Sequence, residues 1–233
     1  MLNQLKAALN KVAEEKSPEP EVISYQTLRN AIGWLGSMLP VALIVGSFLF
    51  GPCDIIQPSI SHYYFTNMRE VFVGLMCAVG LFLFSYKGHS QLDSMVSNAA
   101  GLFAFGVALF PTNAIDGYHC QHEIISFIDV PFHSVIHFTC AGLFFFTLSM
   151  MSLLLFTKSK ETKENQTDEK RTRNVIYKVC GWIMLVSIAI IAISGPVLHV
   201  DETSQITFWF ETVALLTFGI SWLTKGEMLF GDK

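Results

Sequence analysis

His133 and His137 stand four residues apart in DVPFHSVIHFTCAGLFFFTLSMMSLLLFT, positions 129–157. That spacing sets both imidazoles on one helix face, one turn apart. Neutral imidazole ligates divalent metal and accepts protons, so the pair offers two ligands for Zn²⁺ or a titrating relay. His122, in Asp116-x-x-His119-x-x-His122-Glu123, can add a third ligand from a neighbouring loop. The pair lacks the intervening Glu of H-E-x-x-H proteases. It equally fits two polar rings at a membrane boundary, with His137 hydrogen-bonding across a helix bundle. Glu211 lies among Phe208, Trp209 and Phe210, and a carboxylate so placed ordinarily faces a bundle interior with a partner. Arg69 is its expected counter-ion, by direct contact or a shared water; the alternative is that the two only fix helix packing. Ser59 and Tyr64, in PSISHYYFTN at 58–67, offer hydroxyls that a re-entrant turn would bring toward His133 and Glu211. Tyr63, Tyr64 and Phe65 also fit an interfacial aromatic belt. No G-x-S-x-G is present, so a serine nucleophile is not expected. The candidate catalytic set is therefore Glu211, Arg69, Ser59 and Tyr64, and the candidate metal set His133, His137 and His122.

These residues need a membrane scaffold to position them. The 233 residues are 52% hydrophobic and 15% charged, with mean hydropathy +0.46, against about 25% charge in soluble domains. The composition predicts an all-α polytopic membrane bundle with six transmembrane helices, at about 31–50, 68–87, 94–110, 132–157, 175–194 and 207–224. Residues 1–30 precede it, with Leu2, Leu5, Leu9 and Val12 at helical spacing among lysines, as in an amphipathic surface helix. Residues 227–233 form a tail. Asn67 and Asp93 are the expected N-caps of the second and third helices, and Pro40 is expected to kink the first. With the N-terminus inside, 14 of the 15 Lys and Arg face the cytoplasm and only Arg69 faces out, which makes both termini cytoplasmic. The mixed-charge run 158–174 then reads as a solvated inner connector.

Six of the seven histidines fall on the outer side, with Asp54, Glu70, Asp116, Asp201 and Glu202. Cys53 and Cys120 lie in the first two outer loops, where they could pair as a disulfide, or Cys120 could be a thiolate ligand between His119 and His122. Ala100, Ala104 and Ala108 form a small-residue stripe for close helix approach. No P-loop, dinucleotide fingerprint, facing heme histidines or internal transporter repeat is present.

The runs SISHYYFTNMREVFVG, NAAGLFAFGVALFPTN, HFTCAGLFFFTL and FETVALLTFGISWLTKG, spanning about Ser59 to Gly226, resemble a group of bacterial six-span integral membrane proteins. That resemblance implies a bacterial inner-membrane location and six spans, with Ser59, Tyr64, Arg69, His137 and Glu211 as recurring positions, and supplies no reaction. A looser likeness, in the spacing of His133 and His137, is to the alkaline ceramidase and adiponectin-receptor membrane hydrolases. Those have seven spans and hold zinc with three histidines. The likeness implies zinc-dependent hydrolysis of a lipid amide or ester; in such a site Glu211 is the residue here placed to take the proton of a zinc-bound water, and Arg69 the one to anchor a phosphate or oxyanion. The alternatives are a non-enzymatic carrier or sensor of a proton, metal ion or small solute, and a structural accessory subunit. Expected partners are the lipid bilayer and a lipid or small molecule at the outer face, not nucleic acid.

Overall fold

The computed structural model describes residues 20–51, 53–88, 90–122, 128, 130–159, 166–195 and 197–230, with side chains from residue 25 onward. The amphipathic segment expected near the N-terminus, His89, Glu123, Asp129 and positions 160–165 lie outside the described residues. The protein is all-helical, 72% helix, with no strand among the described residues. Long apolar runs leave little else possible in lipid, where backbone amides must be satisfied within the segment.

Six α-helices are described: α1 (Pro20–Phe50), α2 (Arg69–Ser85), α3 (Gln91–Leu109), α4 (His133–Met150), α5 (Asp168–Ser194) and α6 (Ile206–Lys225). A 3₁₀ turn, Ser61–Phe65, precedes α2, and a π-helical turn, Met151–Leu155, extends α4. Five helices are long and apolar enough to cross a membrane; α2, at 17 residues, is the shorter sixth.

Several boundaries differ from the sequence expectation. α1 begins at Pro20 and runs through Pro40, and α5 begins at Asp168, inside the expected connector. Hydropathy marks only the part of a helix suited to lipid, whereas charged residues such as Glu169, Lys170 and Arg171 extend it readily. The Thr167 side chain caps α5 by accepting from Lys170 N–H. Ser90, not Asp93, caps α3: it lies in extended backbone and accepts the Asp93 amide. Asp93 sits one turn in, accepts from Ser90 Oγ and binds Lys158 at 2.7 Å. Its carboxylate is 4% exposed, so this part of the connector is structural rather than merely solvated. Asn67 is not a cap; α2 starts at Arg69 with no side-chain cap.

Consecutive helices are neighbours and α6 packs back on α1, closing a ring. Leu39, Leu43, Phe72, Met76, Val107, Phe144, Phe208 and Leu215 belong to the core inside it. The alanine stripe of α3 is buried. Gly33 and Gly219 let α1 and α6 touch: a Cβ on Gly219 would lie 2.8 Å from the Gly33 carbonyl oxygen. Ser152 Oγ donates to the Tyr177 carbonyl at 2.8 Å, tying the end of α4 to α5.

Candidate functional site

At the end of the ring where α1 finishes and α2 starts, the segment between them folds back into the bundle. Tyr63 and Tyr64 are buried, so the turn packs inward instead of forming a surface belt. Three hydrogen bonds fasten it to the start of α6. Gln205 Nε2 donates to the Ile56 carbonyl at 3.0 Å, Phe208 N–H to the Pro58 carbonyl at 2.9 Å, and Ile60 N–H to Glu211 Oε2 at 2.6 Å. The Phe208 bond satisfies one of the amides that a helix N-terminus leaves without an intrahelical acceptor. Cys53 and Cys120 are joined as a disulfide, Cα–Cα 5.5 Å, which settles the two sequence alternatives in favour of a bridge between the segment before α2 and the loop after α3.

The spacing of His133 and His137 has a structural cause. Pro111 prevents α3 from continuing, so the carbonyls of Phe110 and Pro111 lack helical donors. His137 Nδ1–H donates to Phe110 O at 2.7 Å and His133 Nδ1–H to Pro111 O at 2.9 Å. One helical turn on α4 thus matches two successive carbonyls at the end of α3. A carbonyl only accepts, which puts the proton of each ring on Nδ1. His137 Nε2 is left as the acceptor facing Ser61 Oγ at 2.9 Å, and the residue is 1% exposed.

A second hydroxyl–imidazole pair lies in the same turn. Ser59 Oγ accepts the His62 amide at 3.2 Å and contacts His62 Nδ1 at 2.6 Å. Burial, helped by the nearby His137 ring, lowers the His62 pKa to about 4, so this imidazole is neutral at physiological pH. Both pairs line one cavity of about 570 Å³. Its polar end carries Ser59, Ser61, His62, His137, Glu211 and Asp201. Its apolar end is formed by Phe138, Ala141 and Phe145 of α4 and Ile188, Ile191 and Ala192 of α5.

The expected site residues separate on this geometry. Glu211, Ser59 and His137 line the cavity; Arg69, Tyr64, His133 and His122 are not among its described lining. Among the described residues no direct Arg69–Glu211 ion pair forms. Arg69 lies over the Tyr64 ring at 4.6 Å and donates to its hydroxyl at 2.9 Å, while Glu211 accepts from a backbone amide. The His133/His137/His122 set is not gathered either. The two helix histidines turn Nδ1–H to carbonyls, and His122 is exposed, with its amide bonded to Phe65 O. The group among the described residues whose ligand atoms lie close enough for a metal ion is Cys53, His119 and Cys120, within 4.8 Å of one another, and its two sulfurs are disulfide-bonded.

Sequence reasoning missed Ser61 and His62 as cavity residues. A usable signal was present, since Ser59-x-x-His62 matches the three-residue period of a 3₁₀ turn. Asp201 and Glu202, grouped in the sequence with the histidines as one acidic face, also line the cavity. No protein-family model, curated protein or solved structure matches the chain.

Proposed function

We propose that this is a six-span membrane protein with both termini cytoplasmic, which holds a lipid or lipid-like small molecule in its outward-facing cavity as a carrier or sensor. The observation that carries the reading is the cavity itself, about 570 Å³ with a polar end at the outer loops and an apolar end between α4 and α5. Ligand sites of drug-sized molecules occupy roughly 300–1,000 Å³ and are mostly apolar with a few placed polar groups.

The six-span topology draws support from the disulfide. Cys53 precedes α2 and Cys120 follows α3, and bonded cysteines lie on one side of the membrane. With α3 crossing, α2 must cross too. The distribution of Lys and Arg favours those loops lying outside, and a disulfide suits an oxidising outer compartment such as a bacterial periplasm.

The experiment is binding of tritiated twelve-carbon chains (dodecylamine, dodecanol, dodecyl phosphate) to purified protein in nanodiscs, beside Gly142→Leu. Gly142 lines the cavity and a Cβ there meets nothing within 4 Å, so the added side chain starts in open space at the site. Saturable binding near one chain per protein, lost in the variant, supports the reading. Equal, non-saturable partition into both samples rejects it.

A second reading, hydrolysis of a lipid ester at Ser61 with His137 as base, is favoured by their 2.9 Å contact. It requires turnover of a long-chain nitrophenyl ester that Ser61→Ala abolishes. The zinc-dependent mechanism has less support, because the expected ligands are turned to backbone carbonyls or to solvent.

A further inference from the structure

The cavity is one-sided in charge. Glu211, Asp201 and Glu202 line it, and no Lys or Arg does among the described residues. The outer-face cation Arg69 is stacked on Tyr64 and is not part of that lining. Glu211 uses Oε2 for the Ile60 amide, and no donor among the described residues reaches its Oε1. Ser59, Ser61, Thr207 and Ser204 add hydroxyl oxygens to the same end. Asp201 is already held in a turn: its Oδ1 accepts from Thr203 N at 2.8 Å and Thr203 Oγ1 at 2.5 Å. Those bonds keep its carboxyl below the usual carboxylate range, so it is anionic at neutral pH.

A phosphate or sulfate head group would meet carboxylates here without a compensating cation. A neutral alcohol would satisfy one or two of the oxygens. A primary ammonium carries three N–H donors and a positive charge, and matches a site of acceptors and acids. The apolar end runs inward along α4 from Phe138 to Phe145, seven residues or roughly 10 Å of helix. Phe138 is largely exposed on the outside of the ring, at the seam with α5.

Resting on the carrier-or-sensor reading above, we propose that the cavity takes a long-chain primary amine. Its ammonium lies against Glu211 with Asp201 and Glu202 at the mouth, and its hydrocarbon chain lies between α4 and α5.

The test uses the same three tritiated probes on the full chain in nanodiscs. Dodecylamine is expected to bind about tenfold or more tighter than dodecanol, the effect of one charge-assisted hydrogen bond, and dodecyl phosphate weakest of the three. Glu211→Gln is expected to bring dodecylamine to the level of dodecanol. Two results overturn the proposal: dodecanol or dodecyl phosphate binding as tightly as the amine, or an amine preference that survives in Glu211→Gln. Either leaves the carrier-or-sensor reading standing. Absence of saturable binding by all three probes overturns both.

Discussion

Replacing Glu211 separates the acceptor role of its side chain from its charge. In Glu211→Leu the Ile60 amide loses its acceptor inside the bundle, and an orphaned buried donor costs about 1–3 kcal/mol. In Glu211→Gln a side-chain oxygen remains to accept the same amide, and the loss is the smaller one of a changed acceptor, about 0.5–1.5 kcal/mol. The segment does not come away in either case, because the Phe208–Pro58 and Gln205–Ile56 bonds and the disulfide still hold it. The expected order of stability is wild type, then Gln, then Leu, with about 1 kcal/mol between the variants. For a chain of this size that gap is about 2–4 °C in Tm. Melting in detergent measures it, followed by a maleimide dye in a Cys77→Ser/Cys140→Ser background so that labelling reports exposure of buried Cys180. A Leu variant that melts with wild type would show that the Ile60–Glu211 bond contributes nothing. A Gln variant as unstable as Leu would show that charge, not the acceptor, is what the site requires.

Three further outcomes are expected. Gly219→Ala places a methyl 2.8 Å from the Gly33 carbonyl and should destabilise by about 1–3 kcal/mol, whereas Gly142→Ala, with open space around it, should not; thermal melts of the pair decide. His62 is neutral in the fold down to about pH 4 but protonates near 6.5 when unfolded. The unfolded chain therefore binds the extra proton between those values, and stability is full above pH 6.5 and declines by about 3 kcal/mol in all as pH falls to 4. The pH slope of Tm should shrink in His62→Gln. Finally, elemental analysis of the oxidised protein should show no bound zinc. After reduction with dithiothreitol, Cys53, His119 and Cys120, with Asp54 3.5 Å from His119, should take up about one zinc per chain that Cys53→Ser/Cys120→Ser loses.

Much of the bundle is legible in the sequence because long apolar runs have few alternatives. The ends of α1 and α5 are not, since polar helical turns beyond the bilayer carry no hydropathy signal. The cap of α3 shows the limit of local rules: Ser90 and Asp93 are both good caps, and the choice falls to the residue whose backbone is already extended. The histidine pair is conspicuous by spacing, yet its partners are two carbonyls, and main-chain acceptors leave no trace in residue type. The direct Arg69–Glu211 contact is absent for a related reason. Pairing charges by sign overlooks a tyrosine five residues before the arginine and a backbone amide across the ring.

The fastening of the outer loops has a mechanical consequence. The segment before α2 is stitched to the start of α6 and bridged to the loop after α3, while α4 is pinned to the end of α3 by its histidines. The later half of α5 is different: among the described residues, no hydrogen bond ties it to α4 or α6, and the Ser194 hydroxyl bonds back to Ile191 of its own helix. Its first half is anchored, at Tyr177 to Ser152 and through Arg173 to the Phe230 carbonyl. α5 is therefore tied to its neighbours by hydrogen bonds at one end only, and the cavity wall it supplies at the other end is held by side-chain packing alone.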